Sequence, residues 1–191
     1  MSIFAVFYGT YLPLLIETEK LLIVMKEVII SDAKLRQAAE SGADAFLSTV
    51  IEATLEAIGG ELNADNMNEL SADQVTLLAY HMLHEEVMDG GFVQLIHNGY
   101  GPFFFQNPFA KAMRMWDIAE LAKLMNKVKK LYLGCHEDLE RDCTEDEFMA
   151  LFEQHPEFDD CDDTFVENEE QWTAAVAYYV DEHLDNFCTV K

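Results

Sequence analysis

The last third of the chain combines a large acidic excess with regularly spaced aromatic and aliphatic residues. The 191-residue chain contains 36 Asp or Glu against 12 Lys or Arg, which gives a formal net charge of -24. Residues 135–191 hold 19 of these acids and only 2 of the bases, a net charge of -17. Because Trp172, Val176 and Val180 recur at helical spacing in this segment, it is predicted to pack one face in a core and to display carboxylates on the other.

This charge balance excludes one class of function and restricts the choice of partner. A surface this acidic would repel a polyanion, so direct binding of DNA or RNA is not expected. A charged partner should instead be basic. The most basic part of the chain is the segment 111–130, which carries six bases against two acids. The simplest interpretation is that these bases neutralise acids of the same chain or of a second subunit.

Signals for helix starts divide most of the chain into amphipathic helices. Ser71 with Gln74, and Thr144 with Glu147, have the spacing of capping boxes, in which each side chain bonds a free backbone N–H of the first turn. A further start is indicated at Ser31. The helix that follows Ser31 is expected to break near residues 41–42 and to stop at residues 59–60, and the helix that follows Ser71 is expected to end at residues 90–91, because glycine favours helix ends.

Strand signals are nearly absent, and the stretch from Leu21 to Ile30 is the only candidate. The fold class is therefore predicted to be all-α, a single-domain globule of about six to eight helices over residues 25–191. We further expect one long helix from Pro108 to Leu133, capped by Asn107. An acidic loop from Pro156 to Asp163 should precede the final helix.

Residues 1–24 are predicted to be a poorly patterned apolar extension. No Lys or Arg precedes the apolar run, and Pro13 interrupts a stretch shorter than the roughly 18 to 20 residues that span a bilayer, so neither a signal peptide nor a membrane segment is indicated. One interpretation is that translation begins at Met25. The four cysteines have no CxxC or zinc-finger spacing, which predicts reduced thiols in a cytoplasmic protein without a cofactor or bound metal.

Residues for catalysis are not evident in the sequence. His81, His84 and Glu85 share a predicted helix and could approach a metal ion, but no third ligand pattern accompanies them. The stretch from Asp159 to Glu170 only partly matches a calcium-loop template, because it lacks the glycine needed for the sharp turn. The chain is therefore predicted not to be an enzyme, and a metal-dependent enzyme stays an alternative hypothesis.

A motif near the middle of the chain carries a family resemblance. The run from His84 to Gly101 reads HEEVMDGGFVQLIHNGYG. It resembles the signature of the small acidic, all-helical DNA-mimic protein family, with Asp89 in place of the usual Asn and Leu95-Ile96 in place of an aromatic pair. The resemblance extends over roughly residues 71–187, including Asp163-Thr164-Phe165. It implies an architectural role for four residues of the motif: Gly90, Gly91, Phe92 and Asn98.

For function, the resemblance implies a homodimer whose carboxylates imitate DNA phosphates and occupy the DNA-binding surface of a transcription factor or nucleoid-type protein. Helix residues four apart are separated by about 6 Å, which is comparable with successive phosphates of a DNA strand. The pairs Asp163 with Glu167 and Asp181 with Asp185 have this spacing. The densest acids are predicted to bind the partner: Asp159, Asp160, Asp162, Asp163, Glu167, Glu169 and Glu170.

Two alternatives to DNA mimicry stay open at this point. The acids could serve only solubility, since like charges oppose aggregation. The chain could also be an acidic immunity or antitoxin-like protein that neutralises one specific basic effector. In that case DNA would fail to compete for the effector.

Overall fold

The structure of the protein is a computed structural model that describes residues 25–191. Within that range it contains eight α-helices and one two-stranded parallel pairing, which confirms the predicted all-α class. The elements, in chain order, are β1 Ile29–Ile30, α1 Asp32–Ser41, α2 Ala43–Ile58, α3 Ala72–Leu95, α4 Gly101–Gln106, α5 Phe109–Met115, α6 Ala119–Leu139, α7 Glu145–Gln154, α8 Asp159–Glu182 and β2 Thr189–Val190. The predictions made for residues 1–24 lie outside the described residues.

Helix ends set by local sequence lie where the sequence predicts them. The Ser71 and Thr144 side chains each accept the backbone N–H three residues later, and both reciprocal capping bonds are present. Ser31 caps α1 by accepting the Lys34 N–H at 3.3 Å. Gly42 separates α1 from α2, and Gly59 ends α2 in the left-handed conformation. These ends follow from hydrogen bonds between near neighbours in the sequence.

The long helix expected from Pro108 to Leu133 is instead two helices, α5 and α6. The break lies at Asp117, which has a positive φ of 63°. Beside it the Trp116 ring stacks on Tyr179 of α8, with ring centroids 4.4 Å apart. Asn107 does not cap the start either, because its side chain donates backward to the Phe103 carbonyl within α4. A contact with a distant helix therefore accompanies a break that the local pattern does not indicate.

The expected acidic loop from Pro156 to Asp163 is also a helix for most of its length. A single 3-10 turn covers Pro156–Phe158, and α8 begins at Asp159. Cys161 and Phe165 are fully buried one helical turn apart, which anchors this first part of α8 in the core. The acids at the start of α8 lie near the positive end of the helix dipole, where carboxylates are favoured.

The two ends of the described chain meet in the parallel pair of β1 and β2, in the register Ile29 to Thr189 and Ile30 to Val190. Only the β1 residues lie within the predicted strand candidate. Gln74, which caps α3, also donates to the Phe187 carbonyl at 2.7 Å and so ties the C-terminal segment to α3. Pairing across the whole chain carries no local sequence signal, so β2 is not predicted from sequence.

Helix α8 lies against α2, α3 and α6, and its inner face forms part of one continuous core. Phe165 packs edge-on against Phe92 of α3 and against Trp172 of its own helix, with centroid distances of 6.1 and 5.5 Å. The face of α8 opposite these aromatic residues therefore faces the solvent. None of the helices within residues 25–191 combines the length and the apolar composition needed to cross a membrane.

Candidate partner-binding surface

Five of the seven acids predicted to bind a partner lie exposed along the outer face of α8. At about 100° per residue they fall within about 100° of the helix circumference, and they extend over about 16 Å of its length. We refer to this set as the outer acidic stripe, which comprises Asp159, Asp160, Asp163, Glu167 and Glu170. Asp181 is exposed on the same face nearer the helix end. Its expected helical partner Asp185 lies beyond α8, in the 3-10 turn Leu184–Asn186.

The carboxylates of the outer acidic stripe form no ion pair with the described residues. Ion pairs in residues 25–191 with a nitrogen to oxygen distance of 4.0 Å or less involve other acids, including Asp32, Glu120, Asp138 and Glu147. None of the twelve pairs involves a member of the stripe. These carboxylates are therefore exposed and not engaged in ion pairs with the described residues.

Asp162 is not part of this surface, which corrects its assignment from the sequence. It lies on the inner edge of α8, where its Oδ1 accepts the Phe92 backbone N–H at 2.8 Å. Burial raises the pKa of Asp162 to about 6, although the bond from Phe92 lowers it, and repulsion from Asp159 and Asp163 adds to the rise. The side chain therefore fastens α8 to α3 rather than facing a partner.

Glu169 also faces inward, one heptad after Asp162 on the same edge of α8. Its Oε2 lies 3.1 Å from His84 Nε2 on α3, and its side chain is only 22% exposed. The two inward acids thus bind α3 at two points along its length. Asp162 falls in the predicted loop, so its helical phase relative to Phe165 is not evident from the sequence. Glu169 lies beyond that loop, three residues before Trp172, and this spacing is a signal for its inward position.

Asp162→Asn is expected to stabilise the protein by about 1 to 2 kcal/mol at pH 8. The pKa of Asp162 is raised from its ordinary 3.8 to about 6, so the folded state holds this proton more tightly than the unfolded state. The stabilisation of the wild type by this tightly held proton is fully present below about pH 4 and is lost as the pH rises through about 6. Asparagine can still accept the Phe92 N–H and carries no charge.

Urea unfolding of the wild type and of Asp162→Asn between pH 4.5 and 8 tests this expectation. The free-energy difference between them should grow as the pH rises through about 6. A difference that does not change with pH would contradict the role assigned to the buried carboxyl.

The glycine motif forms the corner that Asp162 fastens. Gly91 has φ 69° and ψ -173° and breaks α3 into two helical parts. A Cβ on Gly91 would lie 2.5 Å from Asp162 Oδ2, and a Cβ on Gly90 would overlap the Gln94 side chain. Phe92, fully buried, begins the second part. The corner therefore requires glycine both for its backbone conformation and for the close approach of other groups.

A small polar network spans the outside of this corner. Asn98 donates to Glu86 Oε2 at 2.8 Å, and Gln94 donates to Asp89 Oδ2 at 2.9 Å and to Glu86 at 3.3 Å. Asn98 is exposed and its side chain contacts only this network by hydrogen bond. These bonds link the residues before the glycines to those after them, which is consistent with the architectural role predicted for Gly90, Gly91, Phe92 and Asn98.

Comparison with known proteins identifies a family whose match includes the glycine corner and the outer acidic stripe. The family model described as DMP19-like protein matches residues 68–183. The chain belongs to the DMP19-like protein family. It is 34% identical over 148 residues to DNA mimic protein DMP19 of Neisseria meningitidis serogroup B, an alignment that covers 76% of this chain and 88% of the relative.

The DMP19-like match extends from the turn before α3 to the residue after α8. It therefore includes both the glycine corner and the outer acidic stripe. Helices α1 and α2 precede the family match. The resemblance deduced from the run between His84 and Gly101 is confirmed at the level of the family.

The basic segment of this DMP19-like chain lies on α5 and α6. Of its six bases, Lys123 forms an ion pair with Glu120 of the same helix at 2.6 Å. The other five form no ion pair with the described residues; they are Lys111, Arg114, Lys127, Lys129 and Lys130. Within residues 25–191, the one ion pair that these bases form is therefore with a neighbour on α6.

The histidines considered as metal ligands line a cleft of about 160 Å³ between α2, α3 and α8. Glu85 Oε1 lies 3.7 Å from His84 Nδ1 and 3.9 Å from His81 Nδ1. The other nitrogen of His84 already faces Glu169. In the part of the chain that the structure describes, no set of three ligand atoms close enough to hold a metal forms in this cleft.

A different group of metal-ligand side chains does come together, and sequence reasoning missed it. Cys135 of α6 approaches His155 and Glu157 in the turn between α7 and α8. Burial raises the pKa of the Cys135 thiol to about 11. Burial lowers the pKa of His155, but its hydrogen bonds to Asp138 and Glu157 raise it more, so its net pKa is raised. The 20-residue separation of Cys135 and His155 leaves no spacing motif in the sequence.

Proposed function

We propose that the chain acts as a DNA mimic, binding without catalysis to the DNA-binding surface of a basic protein in the cytoplasm. The relative from Neisseria meningitidis is named a DNA mimic protein, and membership of the DMP19-like family supports the same role here. A transcription factor or a nucleoid-type protein is the kind of partner that we propose. Such a protein presents Lys and Arg side chains arranged to bind phosphates.

The observation that carries this proposal is the unpaired outer acidic stripe on α8. Asp159, Asp163 and Glu167 follow one another at four-residue intervals, or about 6 Å along the helix axis. The phosphates of a DNA strand rise by about 3.4 Å per nucleotide and are also displaced sideways, so the two spacings are similar. Packing of α8 against three helices holds these carboxylates on a rigid support.

Rigidity distinguishes the stripe from an acidic tail that only confers solubility. Phe165, Trp172 and Val176 are buried on the opposite face of the same helix, so the stripe cannot rotate without breaking the core. A binding site whose charges are already positioned loses little conformational entropy when a partner binds. This arrangement favours recognition over solubility alone.

We also propose that the chain forms a homodimer, as the family resemblance implies. Two large side chains, Met115 and Tyr178, are 72% and 68% exposed beside the cleft that contains Trp116 and Tyr179. An exposed apolar patch of this kind is typical of protein interfaces. Light scattering on the purified chain should give about twice its mass of 21.8 kDa. A mass of one chain at all concentrations tested would contradict the proposal.

Affinity capture from an extract of the source cells tests the proposed function. Tagged chain should capture a basic DNA-binding protein after nuclease treatment, and added duplex DNA or increasing salt should release it. A variant with the outer acidic stripe changed to amides should capture much less. Capture of one basic effector that DNA does not displace would instead support the immunity-type function and contradict DNA mimicry.

A further inference from the structure

Three different metal-ligand groups meet where the C-terminal half of α6 contacts the turn between α7 and α8. One ligand atom from each of Cys135, His155 and Glu157 lies within 4.8 Å of the other two. This cluster is separate from the outer acidic stripe and takes no part in the proposed binding of a DNA-binding protein. A thiol, an imidazole and a carboxylate together form a donor set that Zn²⁺ prefers and that Mg²⁺ or Ca²⁺ does not.

The His155 ring is already held in the orientation that a ligand needs. Its Nε2 lies 2.9 Å from Asp138 Oδ2, and its Nδ1 lies 3.1 Å from Glu157 Oε1. Only 11% of the side chain is exposed. A carboxylate on one ring nitrogen typically orients a histidine whose other nitrogen binds a metal, so Asp138 has the position of that orienting group.

The remaining adjustment needed to bind a metal is small. Ligands of a tetrahedral zinc ion are separated by about 3.3 to 3.6 Å, which follows from bond lengths of about 2.0 to 2.3 Å. The His155 Nδ1 to Glu157 Oε1 distance of 3.1 Å is already close to this range. The Cys135 thiol lies within 4.8 Å of both ligand atoms, so each of its distances has to shorten by no more than about 1.5 Å. That thiol now donates to the Leu131 carbonyl at 3.2 Å, a weak bond that is easily exchanged.

We propose that Cys135, His155 and Glu157 bind one Zn²⁺ ion, with Asp138 as a positioning residue. Cys135 binds as the thiolate and His155 binds through Nδ1 as the neutral imidazole, and the protons displaced from the thiol and from Nδ1 are released to water. The Glu157 side chain is 41% exposed, so solvent can reach the ion and supply a water molecule as the fourth ligand. The ion ties α6 to the turn that leads directly into α8, and so fixes the end of the helix that carries Asp159 and Asp160.

Titration of the purified, metal-free chain with Co²⁺ tests this assignment. One equivalent of Co²⁺ should produce a thiolate-to-cobalt charge-transfer absorption, and Zn²⁺ should then abolish it. Cys135→Ser should lose the absorption, whereas Cys143→Ser should keep it. Cys143 is a matched control because it is also half-buried and lies 3.9 Å from a different histidine, His97. Loss of the absorption in Cys143→Ser instead would overturn the assignment.

Thermal unfolding provides a second readout that does not depend on the absorption. Zn²⁺ at about 100 times its dissociation constant should raise the unfolding temperature by about 5 °C or more in the wild type and not in Cys135→Ser. Asp138→Asn should keep the cobalt absorption but weaken Zn²⁺ binding by about 10- to 100-fold, as expected for a positioning residue. If the wild type shows neither the absorption nor the temperature rise, the proposal is wrong.

Discussion

Replacement of Asp159, Asp163, Glu167 and Glu170 by their amides should weaken binding of the captured partner by about 100-fold or more. Each exposed carboxylate that meets a basic group is expected to contribute roughly 0.7 kcal/mol, and four such contributions give this factor. The loss should be largest at low salt, because the Debye length is then longest. Fluorescence titration of the partner at several salt concentrations measures both effects.

The matched control carries the same change in net charge at a different place. Glu40, Glu56, Glu61 and Asp65 are exposed acids that precede the family match, and the structure gives them no ion pair with the described residues. Their amide variant should bind the partner within about threefold of the wild type, because only net charge at a distance has changed. If both variants weaken binding of the partner equally, the affinity depends on overall net charge rather than on the position of the carboxylates. That result would contradict a localised binding surface.

Gly91→Ala should destabilise the protein by about 3 kcal/mol or more. Its backbone, with φ 69° and ψ -173°, lies in a region that only glycine occupies readily, at a cost of about 1 to 3 kcal/mol for other residues. The new Cβ would also lie 2.5 Å from Asp162 Oδ2 and would force that carboxylate away from the Phe92 N–H. Loss of a partner for a buried group adds about 1 to 3 kcal/mol.

Gly134→Ala is the control for this substitution. Gly134 is an exposed residue inside α6, and a Cβ there would have no heavy atom within 4 Å. The same chemical change should therefore stabilise the protein by about 0.5 to 1 kcal/mol. Denaturant unfolding of the wild type, Gly91→Ala and Gly134→Ala measures both differences in the free energy of unfolding. A Gly91→Ala protein as stable as the wild type would mean that the corner tolerates a side chain and is not architecturally required.

The features that sequence reasoning places correctly depend on near neighbours. The capping boxes at Ser71 and Thr144 join residues three apart, and the glycine corner reflects the backbone freedom of Gly91 itself. The break at Asp117 accompanies a stacking contact between Trp116 and Tyr179, 63 residues away. The sequence around Asp117 carries no information about a contact with a residue so far along the chain.

The candidate surface is predictable in part for the same reason. Its location on the acidic, aromatic last third follows from composition and spacing. The inward orientation of Asp162 is missed, because the sequence indicates a loop from Pro156 to Asp163 and a loop has no helical phase. Glu169 lies beyond that loop, and its three-residue spacing from the apolar Trp172 is the signal that could have placed it on the inner side of the helix. The cluster around His155 depends on the packing of α6 against the α7–α8 turn. Such contacts between distant segments appear only in the folded chain.

Competition with DNA tests the central claim most directly. The captured partner is purified and bound to a fluorescently labelled DNA duplex, and the chain is then added while anisotropy is recorded. DNA mimicry predicts stoichiometric release of the duplex, with a complex of chain and partner free of DNA, and the amide variant of the outer acidic stripe should release little. A stable complex that holds the chain, the partner and DNA together would contradict the account.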